Sequence, residues 1–191
     1  MSSNMVRYAP LFLACLLGSA TASFAPNERL PDRRSQAVST DGTLHCGIFG
    51  TGDKSTIENL NYDLRPGGKL TDKTFTIGPG QCNRVHCYDT SAIYVCNDAK
   101  VDLKLTGAMI GKGVKCIFDH CCKQDWSGSK YNDGQSGQKF YRGMGSDFNI
   151  AVGYGNCNDP PEIRPNNALG WGVNPQCVGG ILVPNPDCNR L

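Results

Sequence analysis

"CNRVHCYDTSAIYVC", Cys82 to Cys96, sets three cysteines among fifteen residues that otherwise alternate like a small β-hairpin. Val85 and Cys87 share one face of the first strand, "YDTS" supplies the turn, and Ile93 and Val95 alternate with Tyr94 and Cys96 on the second. "CND", Cys96 to Asp98, ends that second strand. Whether the sulfurs are metal ligands, redox thiols or cross-links decides what kind of scaffold the hairpin belongs to.

The rest of the chain points to cross-links. Ten cysteines follow residue 34: Cys46, Cys82, Cys87, Cys96, Cys116, Cys121, Cys122, Cys157, Cys177 and Cys188. An even number in an exported chain reads as a disulfide framework of five bonds. No metal is expected: there is no C-x2-C knuckle, and only His45, His86 and His120 could assist. The C-x-x-C spacing of a redox pair is absent as well. Adjacent Cys121 and Cys122 are expected to take two different partners, because a bond between neighbours is strained.

Export itself is read from the first residues. Arg7 precedes the apolar run "LFLACLLGSA" (Leu11 to Ala20), and "ATA" ending at Ala22 supplies small residues for cleavage. That is the pattern of a secretory signal peptide, residues 1–22. The apolar run is half the length a membrane span needs, so no span is expected. Residues 23–34 read as a short propeptide ending in Arg33-Arg34, a dibasic site for a processing protease with acidic subsites. The mature chain, 35–191, then loses Arg7, Arg29, Arg33, Arg34, Glu28 and Asp32 from its charge count. It keeps 15 basic and 15 acidic residues out of 19 and 17. A neutral chain has no cationic surplus for a nucleic acid backbone or an anionic membrane, so neither is an expected partner.

Glycine and proline make up about a fifth of the mature chain, above the usual share near 12%. Much of the backbone is therefore loop, which costs about 1–2 kcal/mol per residue to order. Each disulfide offsets about 2–4 kcal/mol by restricting the unfolded chain.

Along that chain "TLHCGIFG" (Thr43 to Gly50) and "KTFTIG" (Lys73 to Gly78) are candidate strands, with Pro66-Gly67-Gly68 marking a turn between them. Around residues 105–122 the period changes. Ile110, Val114, Ile117 and Cys121 line one helical face, Lys112, Lys115 and Asp119 the other, and Thr106 is placed to cap. Gly107, Gly111 and Gly113 make this a poor helix in isolation, so packing and cross-links must hold it. "QDWSGSKYNDGQSGQ" (Gln124 to Gln138) reads as surface loop. "DFNIAVGYGNC" (Asp147 to Cys157) is the clearest strand, with Phe148, Ile150, Val152 and Tyr154 on one face. The tail after Asp159 reads as an irregular arm tied down by Cys177 and Cys188. The expected fold is a single, small, disulfide-rich α+β domain: an antiparallel β-sheet, one packed helix and long loops.

Catalytic patterns are weak. His86 and His120 with Asp119 could serve a ribonuclease by general acid–base chemistry, but nothing in the sequence makes them converge. Asp119 with Asp125, or Asp98 with Asp102, could mimic a glycosidase pair, although Asp98 and Asp102 suit turn and helix-start positions better. "NDGQSG" lacks the oxygen set of a calcium loop, and no G-x-S-x-G elbow is present. Trp126, Tyr131, Tyr141 and Trp171 could form a sugar-stacking platform, but aromatic rings are mostly packing residues. No N-x-S/T glycan acceptor occurs in the mature chain.

Taken together, the signal peptide, the "RR" propeptide end, "CNRVHCYDTSAIYVCND", "CIFDHCC" (Cys116 to Cys122), "SGQKF" and "FNIAVGYGNCND" (Phe148 to Asp159) resemble a family of small secreted cysteine-rich fungal proteins. The likeness spans roughly Gly80 to Asp159. Members of such families resemble apoplastic effectors and elicitors of the cell-death-inducing type. The resemblance implies an extracellular protein, and the weakness of the catalytic patterns adds the expectation of a monomer that is not an enzyme and has no cofactor. Its partner would be a host extracellular receptor or a cell-wall component, and the outcome host defence or cell death. It brings no catalytic residues. The alternatives are a secreted hydrolase acting on RNA or glycan, and a carbohydrate-binding cell-wall module.

Overall fold

In the computed structural model the described residues are 43–122, 134–142, 147–165, 177, 181–183 and 191. Their elements in chain order are β1 (Leu44–Cys46), β2 (Gly52–Asp53), α1 (Lys54–Leu64), β3 (Thr74–Ile77), β4 (Cys82–Tyr88), β5 (Ser91–Asn97), β6 (Leu103–Thr106), α2 (Gly107–His120), β7 (Gly134–Gln135), β8 (Gly137–Tyr141), β9 (Phe148–Tyr154) and β10 (Ile181–Val183). All belong to one compact unit, Val38–Leu191. The signal peptide, Ala22, Arg33, Arg34, Cys188, Asp125, Trp126, Tyr131 and Trp171 lie outside the described residues.

The fold is a mixed α+β, disulfide-rich domain built on antiparallel strands. Six strands form the main sheet in the order β10-β1-β8-β9-β5-β4. The hairpin of the opening stretch is its β4–β5 edge, and β5 also pairs along its whole length with β9. Every residue of β5 is buried, because both faces of the sheet are covered there. Ile93 and Val95 face the main core with Phe148, Ile150 and Val152 of β9, as their alternation predicts. Ala92, Tyr94 and Ala151 face the other way, against Phe49, Cys87 and Ile163.

One detail of the hairpin departs from strict alternation. The β4–β5 register shifts between Arg84 and His86, so Val85 occupies a bulge. Val85 then packs on the main core while Cys87 packs on the opposite cluster. The two do not share a face: an extra residue in one strand reverses the side-chain phase beyond it. Arg84 uses the outer face to hold the following segment. Its guanidinium donates to the carbonyls of Asn156, Cys157 (3.2 Å) and Asp159 (2.6 Å).

Two helices, not one, cover the main core. α2 begins where its cap predicts: the Thr106 side chain accepts from the Met109 amide. Ile110, Val114, Ile117 and Cys121 are buried and Lys112, Lys115 and Asp119 exposed, as expected. Its glycines are sites of close approach. A Cβ at Gly107 would lie 1.9 Å from the Leu70 carbonyl oxygen, and one at Gly111 would lie 3.2 Å from Leu64. Low helix propensity is the cost of letting α2 sit against α1 and the Leu70 loop.

α1 is the element the sequence reading missed. Ile57, Leu60, Asn61 and Leu64 form its buried face at helical spacing, and Asp53 caps it by accepting from the Thr56 amide. Asn61, only 3% exposed, stands where an apolar residue would have completed the stripe and revealed the period. Arg65 and the Pro66 turn end the helix.

Two segments that read as loop are structured. The end of the expected surface loop is structured: Gln135 belongs to β7, Gln138 to β8, and Gln135 and Ser136 are fully buried. Burial follows from their hydrogen bonds. Gln135 donates to the carbonyls of Ile117 (3.5 Å) and Cys121 (3.4 Å) at the end of α2, while Ser136 donates to the Phe49 carbonyl (2.9 Å). The earlier part of that loop, residues 124–133, lies outside the described residues. The tail, expected to be irregular, contributes β10, which pairs antiparallel with β1.

Four disulfides are placed: Cys46–Cys121, Cys82–Cys96, Cys87–Cys157 and Cys122–Cys177. Cys116 is disulfide-bonded as well. Cys121 and Cys122 do take separate partners, tying the end of α2 to β1 and to the tail. Asn97 adds a polar hub: the two hydrogens of its Nδ2 are shared among the carbonyls of Ile77 (3.0 Å), Gly78 (3.1 Å) and Val101 (2.7 Å), and its oxygen accepts from the Ala99 amide (3.0 Å).

Candidate functional site

The last turn of α1 and the end of β4 face each other across a groove of about 530 Å³ lined by Thr56, Asn59, Tyr62, Asp63, Lys69, His86 and Tyr88, with Leu60 and Cys87 behind them. That volume is in the range of small-ligand sites. Three large apolar side chains are exposed among the described residues, Tyr62 (68%), Tyr88 (70%) and Val101 (56%), and two of the three stand in this groove.

The same groove carries a polar cluster in which His86 and Asp63 are mostly buried and Lys69 reaches in from solvent. His86 Nε2 lies 2.7 Å from Asp63 Oδ2, and Lys69 Nζ lies 2.9 Å from the same oxygen. The Leu70 amide donates to the Asp63 carbonyl (2.8 Å), so the residue is held through its backbone too. On the other wall Cys87, bonded to Cys157, sits between His86 and Tyr88. Cys82 locks the start of the same strand to Cys96. Both ends of β4 are thus covalently anchored, and the groove is presented by a rigid frame.

Burial works to raise the Asp63 carboxyl, but the hydrogen bonds and charges of Lys69 and His86 outweigh it and hold the group below its ordinary value. A depressed folded-state pKa contributes stability above the unfolded value and loses it as pH falls through the folded one. Urea midpoints at pH 6 and pH 2.5 are therefore expected to show wild type ahead of Asp63→Asn at pH 6. The gap should close at the acid end. An equal gap at both pH values would mean that the ion cluster contributes nothing.

The sequence candidates scatter. His86 is in the groove, but its carboxylate partner is Asp63, not Asp119. Asp119 pairs with Lys115 on the exposed side of α2 (2.7 Å). His120 Nδ1 lies 2.9 Å from the Cys116 carbonyl one turn back in the same helix. Asp98 does not start a helix, since α2 begins at Gly107. It accepts instead from Asn149 Nδ2 (2.7 Å), and burial raises its carboxyl. Tyr141 belongs to no platform: it is 5% exposed and stacked on Phe148 in the core at 5.2 Å. Tyr62, Asp63 and Lys69 were missed because Asp63 meets His86 only once α1 exists, and the local signals for α1, the Asp53 cap and the spacing of Ile57, Leu60 and Leu64, are interrupted by Asn61.

Among the described residues no group of three or more His, Cys, Asp or Glu is gathered to hold a metal. No helix among them is long and apolar enough to cross a membrane. Multiple disulfides of this kind are typical of extracellular proteins. Comparison with family models, curated proteins and solved structures finds no match.

Proposed function

We propose that the protein is a secreted effector or elicitor of a plant-associated fungus. It acts in the host apoplast by binding a host component through the α1–β4 groove. The observation that carries the reading is the groove itself: two exposed tyrosines beside a polar cluster, mounted on a strand anchored by Cys82–Cys96 and Cys87–Cys157. Exposed aromatic rings on a cross-linked frame are suited to recognition, because little ordering entropy remains to be lost on binding. The export signals, the neutral mature chain and the resemblance over Gly80 to Asp159 support the same role.

Infiltrating the purified protein into leaves is expected to provoke a defence or necrotic response that a reduced and alkylated control does not. No response to either, together with full virulence of a strain lacking the protein, would defeat the proposal. A hydrolase is the second reading, favoured by one contact, the His86 ring against the Asp63 carboxylate. RNA or glycan hydrolysis by wild type that disappears in both His86→Ala and Asp63→Asn would put that reading first.

A further inference from the structure

We infer that the α1–β4 groove binds a neutral polysaccharide chain of a cell wall, with sugar rings stacked on Tyr62 and Tyr88 and hydroxyls bonded to the polar side chains that line the same groove. The inference rests on the groove being the recognition site proposed above.

Three observations select this ligand chemistry. First, the rings of Tyr62 and Tyr88 are about two-thirds exposed, although most aromatic side chains with a structural role are buried as Tyr94, Tyr141 and Phe148 are here. A sugar ring offers an apolar C–H face of matching size on each side and polar hydroxyls at its edge. Secondly, the polar cluster is held in place. Lys69 and His86 both contact Asp63 through Oδ2. Asn59 and Thr56 add neutral donors and acceptors along the same wall. An entirely apolar ligand would leave these groups desolvated without partners. Thirdly, the Asp63 carboxylate is met by the Lys69 ammonium, one charge against one, so the groove offers no large field of either sign to a strongly charged ligand. Apolar faces, many hydroxyls and no net charge together describe a neutral glycan.

The test uses the native, disulfide-bonded secreted protein. Wild type is expected to sediment with at least one of insoluble chitin, cellulose and β-1,3-glucan, and to be released by a soluble oligosaccharide of the bound polymer. Tyr62→Ala and Tyr88→Ala are each expected to weaken binding roughly tenfold, by loss of stacking and buried ring area. Tyr62→Phe and Tyr88→Phe, which keep the ring, should retain most of it, and Val101→Ala, outside the groove, should change nothing. Both tyrosines are exposed, so the alanine variants should keep wild-type circular dichroism and disulfides. Three results overturn the inference: no retention on any of the three polymers, retention indifferent to both alanine variants, or capture of a host protein that the oligosaccharide does not displace. Leaf infiltration separates the two levels. A response without glycan binding sinks the ligand and spares the elicitor reading, whereas glycan binding with no response and full virulence of the deletion strain does the reverse.

Discussion

Replacing Cys46 and Cys121 together by alanine is expected to lower unfolding stability by about 4 kcal/mol, as much as Cys87–Cys157, which closes 70 residues, and more than the hairpin bond. The bond closes 75 residues, whereas Cys82–Cys96 closes 14. Loop-closure entropy grows only with the logarithm of loop length, so the hairpin bond is still worth about 3 kcal/mol. Both sulfurs of the longer bond are buried, with Cys46 4% and Cys121 1% exposed, and alanine avoids placing a hydroxyl there. The bond also joins the end of α2 to β1, so its loss frees the helix from the sheet as well as lengthening the unfolded chain. Urea denaturation of wild type and the two double variants is the measurement. A Cys82→Ala/Cys96→Ala protein less stable than Cys46→Ala/Cys121→Ala would show that native-state contacts, and not chain entropy, set the order.

Gly107→Ala is expected to cost about 3 kcal/mol or more, in the range reserved for severe overpacking. Helix propensity alone argues for the opposite sign, a gain of up to about 1 kcal/mol for alanine over glycine. The steric term wins because the new Cβ would lie 1.9 Å from the Leu70 carbonyl oxygen and 2.8 Å from its carbon, which are backbone atoms. That backbone cannot retreat freely. The Gly107 amide donates to the Lys73 carbonyl and the Ala108 amide to the Thr71 carbonyl, both at 2.9 Å. Gly113→Ala makes the instructive contrast: its Cβ would meet the Ile150 Cδ1 at 2.4 Å, the tip of a side chain that can rotate. A Gly107→Ala protein as stable as wild type in thermal unfolding would mean that the Leu70 loop yields at little cost.

What the amino-acid order determined by itself is local and periodic. The β4–β5 hairpin, β9 and α2 with its Thr106 cap carry their signal within seven to sixteen residues, since alternation and the i, i+3, i+4 spacing are properties of neighbouring side chains. Separate partners for Cys121 and Cys122 follow from the geometry of two adjacent residues. The tertiary structure decided everything that depends on distant chain meeting. It put Asn61 in a core position and so hid α1. It buried Gln135 and Ser136 by giving them the carbonyls of α2 and Phe49, and it paired the tail with β1. It brought Asp63 against His86 across 23 residues of sequence, in a groove shared with two tyrosines that no local pattern marks. Periodicity reports which side of an element faces a core, but a groove is made by two elements, and their meeting is written in packing and not in spacing.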